Sequence, residues 1–184
     1  MKQIFPRFVF ILFITAAMSA CSSLPENLTS SNKEIITNYQ SWLETSQEAE
    51  SELRLGGVIA QVDNLADSTR IEIVNLPINS SGKPDINQEP NGRYVVYYQG
   101  FADPVTLDKG RLITVLGKAK GVEKGMVGEF EYTFPTMTSN DYHMWRVEER
   151  VLVNELDSYY YPCRGFYCRG SFGTRHGKVI KEVR

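Results

Sequence analysis

Between Leu53 and Val153 the chain is a succession of short alternating runs, each closed by Gly, Pro or Asp. This restricts the fold more than any other feature, because a side-chain period of two belongs to strands and not to helices. Val58, Ala60 and Val62 alternate in G-G-V-I-A-Q-V, and Ile71 and Ile73 alternate with Arg70 and Glu72. Tyr94 to Phe101 is aromatic and β-branched, and Leu112 to Gly117 reads L-I-T-V-L-G. Phe130, Tyr132 and Phe134 share one face, opposite Glu129, Glu131 and Thr133. A last run starts at His143, Trp145 and Val147 and continues through Val151 and Val153. Turn signals separate these runs: Asp63 to Ser68, the long loop Asn79 to Gly92, Ala102-Asp103-Pro104, Asp108-Lys109-Gly110, and the glycines at 121, 125 and 128. L-G-K-A-K-G, Leu116 to Gly121, reads as another turn and lacks the spacing of a phosphate-binding loop. Many short strands with such turns predict a mainly β domain, a sandwich or a small antiparallel barrel. Gly56-Gly57 predicts a bend where the sheet coils.

The residues before this region are different. Ile35, Tyr39, Trp42 and Leu43 fall at helical spacing, and Ser31 or Asn32 could cap a short helix there. Trp42 is expected to face the core. Residues 22–31 are polar and turn-rich and read as a tether. At the start, Lys2 and Arg7 precede an apolar run from Phe8 to Ala17 that is shorter than the ~20 residues a spanning helix needs. A charged start, a short apolar run and small residues before a cut site describe a secretory signal. Met18-Ser19-Ala20-Cys21 resembles a bacterial lipobox, in which lipid is attached to the cysteine sulfur and the signal is cleaved before it. The alternatives are an ordinary signal with an incidental cysteine, or an uncleaved anchor. Ser22 in place of Asp, by resemblance to Gram-negative lipoproteins, favours the outer membrane. Each buried methylene contributes about 0.8 kcal/mol, so several acyl chains would anchor the chain stably.

The expected organisation is a signal peptide over 1–20, a tether over 21–31, a β domain with an N-terminal helix over 32–154, and a tail over 155–184. Removing residues 1–20 takes away Lys2 and Arg7 and no acid, so the formal charge moves from −2 to −4. That mild acidity argues against nucleic acid as a partner. With Cys21 consumed by lipid, Cys163 and Cys168 remain as an even pair that could form a disulfide in an oxidising compartment. The tail, rich in Tyr, Phe, Gly and Arg, is expected to be irregular or weakly ordered.

No constellation for catalysis stands out. His143 and His176 are the only histidines, and Gly170-Ser171-Phe172-Gly173 lacks the spacing of a nucleophile elbow. His143 and Trp145 sit two apart and share a strand face, either as a histidine packed on an aromatic or as a ligand-binding or pH-sensing face. Cys163, Cys168 and His176 lack a fourth ligand for zinc, and a CxxC motif is absent. Glu123, Glu129, Glu131, Glu148 and Glu149 read more simply as a solvated sheet face than as paired catalytic acids. No metal and no cofactor is expected. In the tail, Tyr159, Tyr160, Tyr161, Phe166, Tyr167 and Phe172 are interleaved with Arg164, Arg169 and Arg175. Such a mixture suits sugar stacking and phosphate pairing, with lipopolysaccharide or peptidoglycan as candidates, or is simply a low-complexity segment.

The ordered series Arg54-Leu55-Gly56-Gly57-Val58-Ile59, Arg70-Ile71-Glu72-Ile73, Leu76-Pro77, Lys83-Pro84-Asp85, Gly100-Phe101-Ala102-Asp103-Pro104-Val105, Ile113-Thr114-Val115-Leu116-Gly117 and His143-Met144-Trp145 resembles the Slp family of starvation-inducible outer-membrane lipoproteins. The resemblance covers about residues 53–150, with the lipobox and an aromatic tail besides. It implies a compact β domain of the OB type, lipid-anchored at the outer membrane and facing the periplasm, with no catalytic residues. The function expected is a non-enzymatic binding or scaffolding module of the envelope, whose partner is lipopolysaccharide, peptidoglycan or an envelope protein. The alternative is a small-ligand or oligosaccharide binder using the His143/Trp145 face; a hydrolase is a distant third.

Overall fold

A computed structural model describes residues 24–32, 34–45, 51–153 and 177–184. After a 3-10 turn at Glu26–Leu28 comes one short helix, α1 (Tyr39–Glu44). Seven strands follow: β1 (Glu52–Asn64), β2 (Ser68–Leu76), β3 (Arg93–Gln99), β4 (Leu112–Val127), β5 (Phe130–Trp145), β6 (Val147–Val153) and β7 (Gly177–Val183). The structure is therefore mainly β. The first five strands form one sheet in the order β1-β2-β3-β5-β4, and β4 pairs back onto β1. The expectation of an antiparallel sheet needs one correction. β3 and β5 run parallel, with Val95 beside Thr136 and Tyr98 beside Ser139. The reason is topological: β5 returns antiparallel to β4, and so meets β3 in its own direction.

β1 carries the closure, because Gly56, Gly57 and Val58 pair with β2 on one edge and with β4 on the other. A strand held on both edges there must coil. A Cβ on Gly57 would run into the carbonyl oxygen of Val74, so the bend read from Gly56-Gly57 requires glycine. Beyond the bend, Ala60 is an extra residue between the pairs Ile59–Ile73 and Gln61–Glu72. This bulge reverses the in–out phase of the strand. The alternation of Val58, Ala60 and Val62 is thus not one face: Ile59 points into the core and Val58 points out.

Inside the ring, Leu53, Leu55, Ile59, Ile71, Ile73, Tyr94, Val96, Ile113, Val115 and Met137 form the core. Trp42 is fully buried against them, edge-on to Tyr94 with ring centroids 6.1 Å apart. Trp42 therefore faces the core as the helical spacing predicts, but α1 is shorter than expected. Asn38 caps it by accepting from the backbone N–H groups of Gln40 and Ser41. Ser31 and Asn32 are not its caps, because Ile36 is held in extended pairing with Leu53 of β1.

β4 and β5 are longer than the sequence suggests. β4 runs through Gly121 and Gly125, and Leu116 to Gly121 is strand and not turn. Only Gly128, with φ of 63°, lies in the connection. The outer halves, 121–127 and 130–136, extend from the ring as a hairpin arm. Its glycine at 125 leaves room for the Phe134 ring, which would lie 3.0 Å from a Cβ there.

The last run is also divided. Trp145 ends β5, and β6 pairs with β7 in a separate antiparallel ribbon. Arg146 and Arg184 exchange backbone hydrogen bonds of 2.6 and 2.7 Å at its root. The tail expected to be irregular over 155–184 thus contains a strand at 177–183, which gains order from its backbone ladder with β6. Residues 22–31, read as a tether, also differ where they are described. Leu28 is fully buried and Leu24 packs beside it, in a second cluster with Leu76, Leu112, Trp145, Val58, Leu116 and Val183.

Two stability predictions follow from the core. Gly57→Ala should lower the unfolding free energy by about 3 kcal/mol or more, because backbone rather than side chain must move. The Tyr94 hydroxyl is buried without a hydrogen-bond partner among the described residues. Tyr94→Phe should therefore leave stability unchanged or raise it by about 1 kcal/mol. Urea unfolding of the full chain reads both.

Candidate functional site

The structure brings His143 and Trp145 together on the outer face of β5, opposite Thr114 and Leu112 of β4. Their ring centroids are 4.4 Å apart. Trp145 is nevertheless only 5% exposed. Its indole N–H donates to the Thr114 hydroxyl at 2.9 Å, and that hydroxyl donates to the Gly82 carbonyl at 2.6 Å. The Lys83 ammonium lies 5.7 Å from the indole centroid. The loop 79–86 and the Leu24–Leu28 segment thus clamp Trp145, and its only polar atom is already used. What this pair still offers a ligand is the partly exposed edge of His143. Burial lowers the pKa of His143 below its usual 6.5.

A second face lies across β2 and β3. Ile71, Ile73, Tyr94 and Val96 point inward, so Arg70, Glu72, Val74, Arg93, Val95 and Tyr97 point outward. This outer face is not bare, since Val95 is 0% and Glu72 6% exposed. The β4–β5 arm folds over it. Arg70 donates through Nε and Nη2 to Oε1 of Glu123 on the arm, at 3.0 and 2.6 Å, while Tyr97 donates to Oε2. Arg70 also reaches Asp63 at 3.4 Å and lies 5.8 Å from the Phe134 ring centroid. Tyr132 accepts from the backbone N–H of Arg93. Burial alone would lower the Arg70 pKa, but its bonds and charge contact with Glu123 outweigh that and hold it above the ordinary value. The bond to Glu123, with burial second, raises the Tyr97 phenol.

Between the arm tip and this face a cleft of about 420 Å³ remains. Val58 and Val74 form its apolar floor, Glu72, Arg93 and Lys109 supply charge, and Met126 to Gly128 form its rim. Glu72 and Arg93 are paired at 2.5 Å. Such a cleft can hold a small polar group by charge and hydrogen bonding. Among the described residues no three His, Cys, Asp or Glu side chains converge as metal ligands. Cys21, Cys163, Cys168, His176 and the aromatic stretch 159–172 lie outside the described residues. The outward setting of Arg70 and Glu72 is legible in their alternation with Ile71 and Ile73. The meeting of Arg70 with Glu123, more than fifty positions away, has no local signal.

The described residues thus form a small β domain, a closed five-stranded sheet with a polar cleft on its outer face, and no helix among them is long and apolar enough to cross a membrane. The sequence matches the profile of the outer membrane lipoprotein Slp family over residues 18–173, and the chain belongs to that family. It is 31% identical over 147 residues to the outer membrane protein Slp of Escherichia coli, covering 77% of this chain and 76% of that protein. It is 32% identical over 117 residues to the uncharacterized lipoprotein YeaY of Escherichia coli, covering 62% and 60% respectively. An uncharacterized protein of Haemophilus influenzae is 42% identical over 94 residues, 50% of this chain and 51% of that one. The chain thus spans between half and two thirds of the last two relatives. No solved structure matches it.

Arg70→Ala should release the arm: amide exchange over 121–135 should quicken while the ring core stays protected. Because Arg70 and Glu123 are partly exposed, the cost to global stability should be about 1–2 kcal/mol. Unchanged exchange in the arm would show that the ion pair does not hold it. For His143, the unfolded chain takes up its proton first. Its contribution to stability is then full above pH 6.5 and declines as pH falls below that, toward the lowered folded value. His143→Gln should flatten that part of the stability–pH curve, measured by urea unfolding.

Proposed function

We propose that this protein is a non-enzymatic lipoprotein, held at the outer membrane by lipid on Cys21, whose β domain is a binding or scaffolding module on the periplasmic side. In this reading residues 1–20 are removed and 32–154 form the module. Residues 155–184 add an aromatic and basic segment, which a Cys163–Cys168 bridge would constrain. Family membership and the Ser19-Ala20-Cys21 sequence spanning the cut support the anchor.

The ring is read as a barrel of the OB type. Its order, β1-β2-β3-β5-β4 and back to β1 with β3 and β5 parallel, favours that class. OB barrels bind ligands on the strand 2–3 face, between the loops joining strands 1–2 and 4–5. The observation that carries the binding reading is that Glu72, Val74 and Arg93 of this face line the cleft, with β1 beside them and the β4–β5 arm above. The ligand class is an anionic or polyhydroxyl envelope component, a peptidoglycan fragment or a phosphorylated glycan of lipopolysaccharide. Arg93 and Lys109 supply the cations and Glu72 an acceptor. The His143/Trp145 face is the weaker alternative, since Trp145 is covered.

The anchor is tested by intact mass and membrane fractionation. Wild type should appear as acylated residues 21–184 in the outer membrane, and Cys21→Ser as an unacylated product outside it. Titrating the full chain with soluble muropeptides and with delipidated lipopolysaccharide core should shift the NMR signals of Val74, Arg93 and Lys109. Arg93→Ala should weaken that binding about tenfold, as loss of one charge-assisted bond implies. Shifts confined to His143 and its neighbours would move the site to the other face.

A further inference from the structure

We infer that the outer face of the ring covered by the Leu24–Leu28 segment is a membrane-contact surface that rests on lipid headgroups, and that the β4–β5 arm is thereby held away from the anchoring leaflet. This rests on the reading of Cys21 as the lipid-bearing residue.

The argument is one of chain length. Leu24 packs against the second cluster, and a Cβ on Gly82 would lie 2.9 Å from its Cδ1. Leu28 beside it is fully buried. The Arg54 guanidinium donates to the Leu28 carbonyl, and the Asn27 side chain donates to the Tyr142 carbonyl of β5. The strap from Leu24 to Leu28 is therefore part of the folded domain. Only Ser22 and Ser23 separate Cys21 from Leu24. Three fully extended residues reach at most about 11 Å. A lipid on Cys21 must enter the bilayer within that distance of the strap, so this face cannot stand off from the headgroups.

The strap packs in one cluster with outward residues of β1, β2, β4 and β5: Val58, Leu76, Leu112, Leu116 and Trp145. The cleft is lined by β1 from Val58 to Gln61, by Glu72 and Val74 of β2 and by Arg93 of β3. Val58 belongs to both surfaces, and beyond it they diverge, the strap cluster to Leu112 and Trp145 and the cleft to Arg93 and the arm tip at Met126 to Gly128. Val183 of the β6–β7 ribbon also packs in the strap's cluster, so the ribbon rises from the anchored side. The chemistry at that side suits headgroup phosphates. Arg54 and Lys83 sit half-buried beside the strap and Arg146 is exposed at the ribbon root, where the exposed Arg184 is paired with Glu148 and Glu182.

The test is lipid photocrosslinking with the acylated full chain in vesicles of phosphatidylethanolamine and phosphatidylglycerol. Benzoylphenylalanine replaces Glu26 or His143 on the strap side, and Lys124 or Glu131 on the arm. Lipid adducts, read by mass, should form several-fold more at 26 and 143 than at 124 and 131. Inserting about twelve Gly/Ser residues between Ser23 and Leu24, a coil of about 20 Å, should abolish that preference while the chain still floats with the vesicles. Equal labelling of both sides in an acylated, vesicle-bound chain overturns the orientation alone. Absence of acyl mass on residue 21 overturns the anchor reading and the orientation with it.

Discussion

The structure depends on β1 being paired along both edges at once. Gly56, Gly57 and Val58 face Leu76, Asn75 and Val74 on one side and Thr114, Ile113 and Leu112 on the other. A strand in that position has no free edge and must coil sharply, which only glycine permits where Val74 approaches. Once β1 is coiled, β2 and β4 diverge around a common interior, and the parallel contact of β3 with β5 completes the circuit. The interior that results is wide enough to need a stopper, and Trp42 supplies it from outside the sheet.

A ring of this size has more outward surface than its own residues can leave bare. Two different devices cover it. On β1, β4 and β5 the cover is apolar: Leu24 and Leu28 lie on Leu112 and Trp145. On β2 and β3 it is polar, with Arg70 joined to Glu123 and Tyr97. The two covers differ physically. Burial of apolar surface is strong and non-directional, and fixes the N-terminal strap. Charge-assisted bonds between partly exposed groups are weaker and salt-sensitive, which fits a face that leaves a cleft open. One face of the closed sheet is thus covered by apolar packing and another by charge-assisted bonds.

Much of this was legible in the residues. The alternation of Arg70, Ile71, Glu72 and Ile73 places two side chains in the core and two outside, and the structure agrees. Trp42 was expected inside and is there. His143 and Trp145 share a face as their spacing requires. Other features were hidden for definite reasons. The bulge at Ala60 reverses the phase of β1 through pairing with β2, which no residue at 60 announces. Gly121 and Gly125 look like turn glycines but sit within β4, one after the bulge at Lys120 and the other beneath the Phe134 ring. Gly177–Val183 lies beyond a basic aromatic stretch and is a strand only because β6 offers it an edge.

The amino-acid sequence by itself determined the strand-rich class, the inward residues of most strands, the glycine bend and the family, because each rests on local periodicity or on an ordered set of short motifs. The tertiary structure alone decided the closure order, the parallel β3–β5 contact, the folding of the arm onto Arg70 and the docking of the N-terminal strap. Those depend on contacts between residues far apart in the chain, whose energies no local pattern encodes.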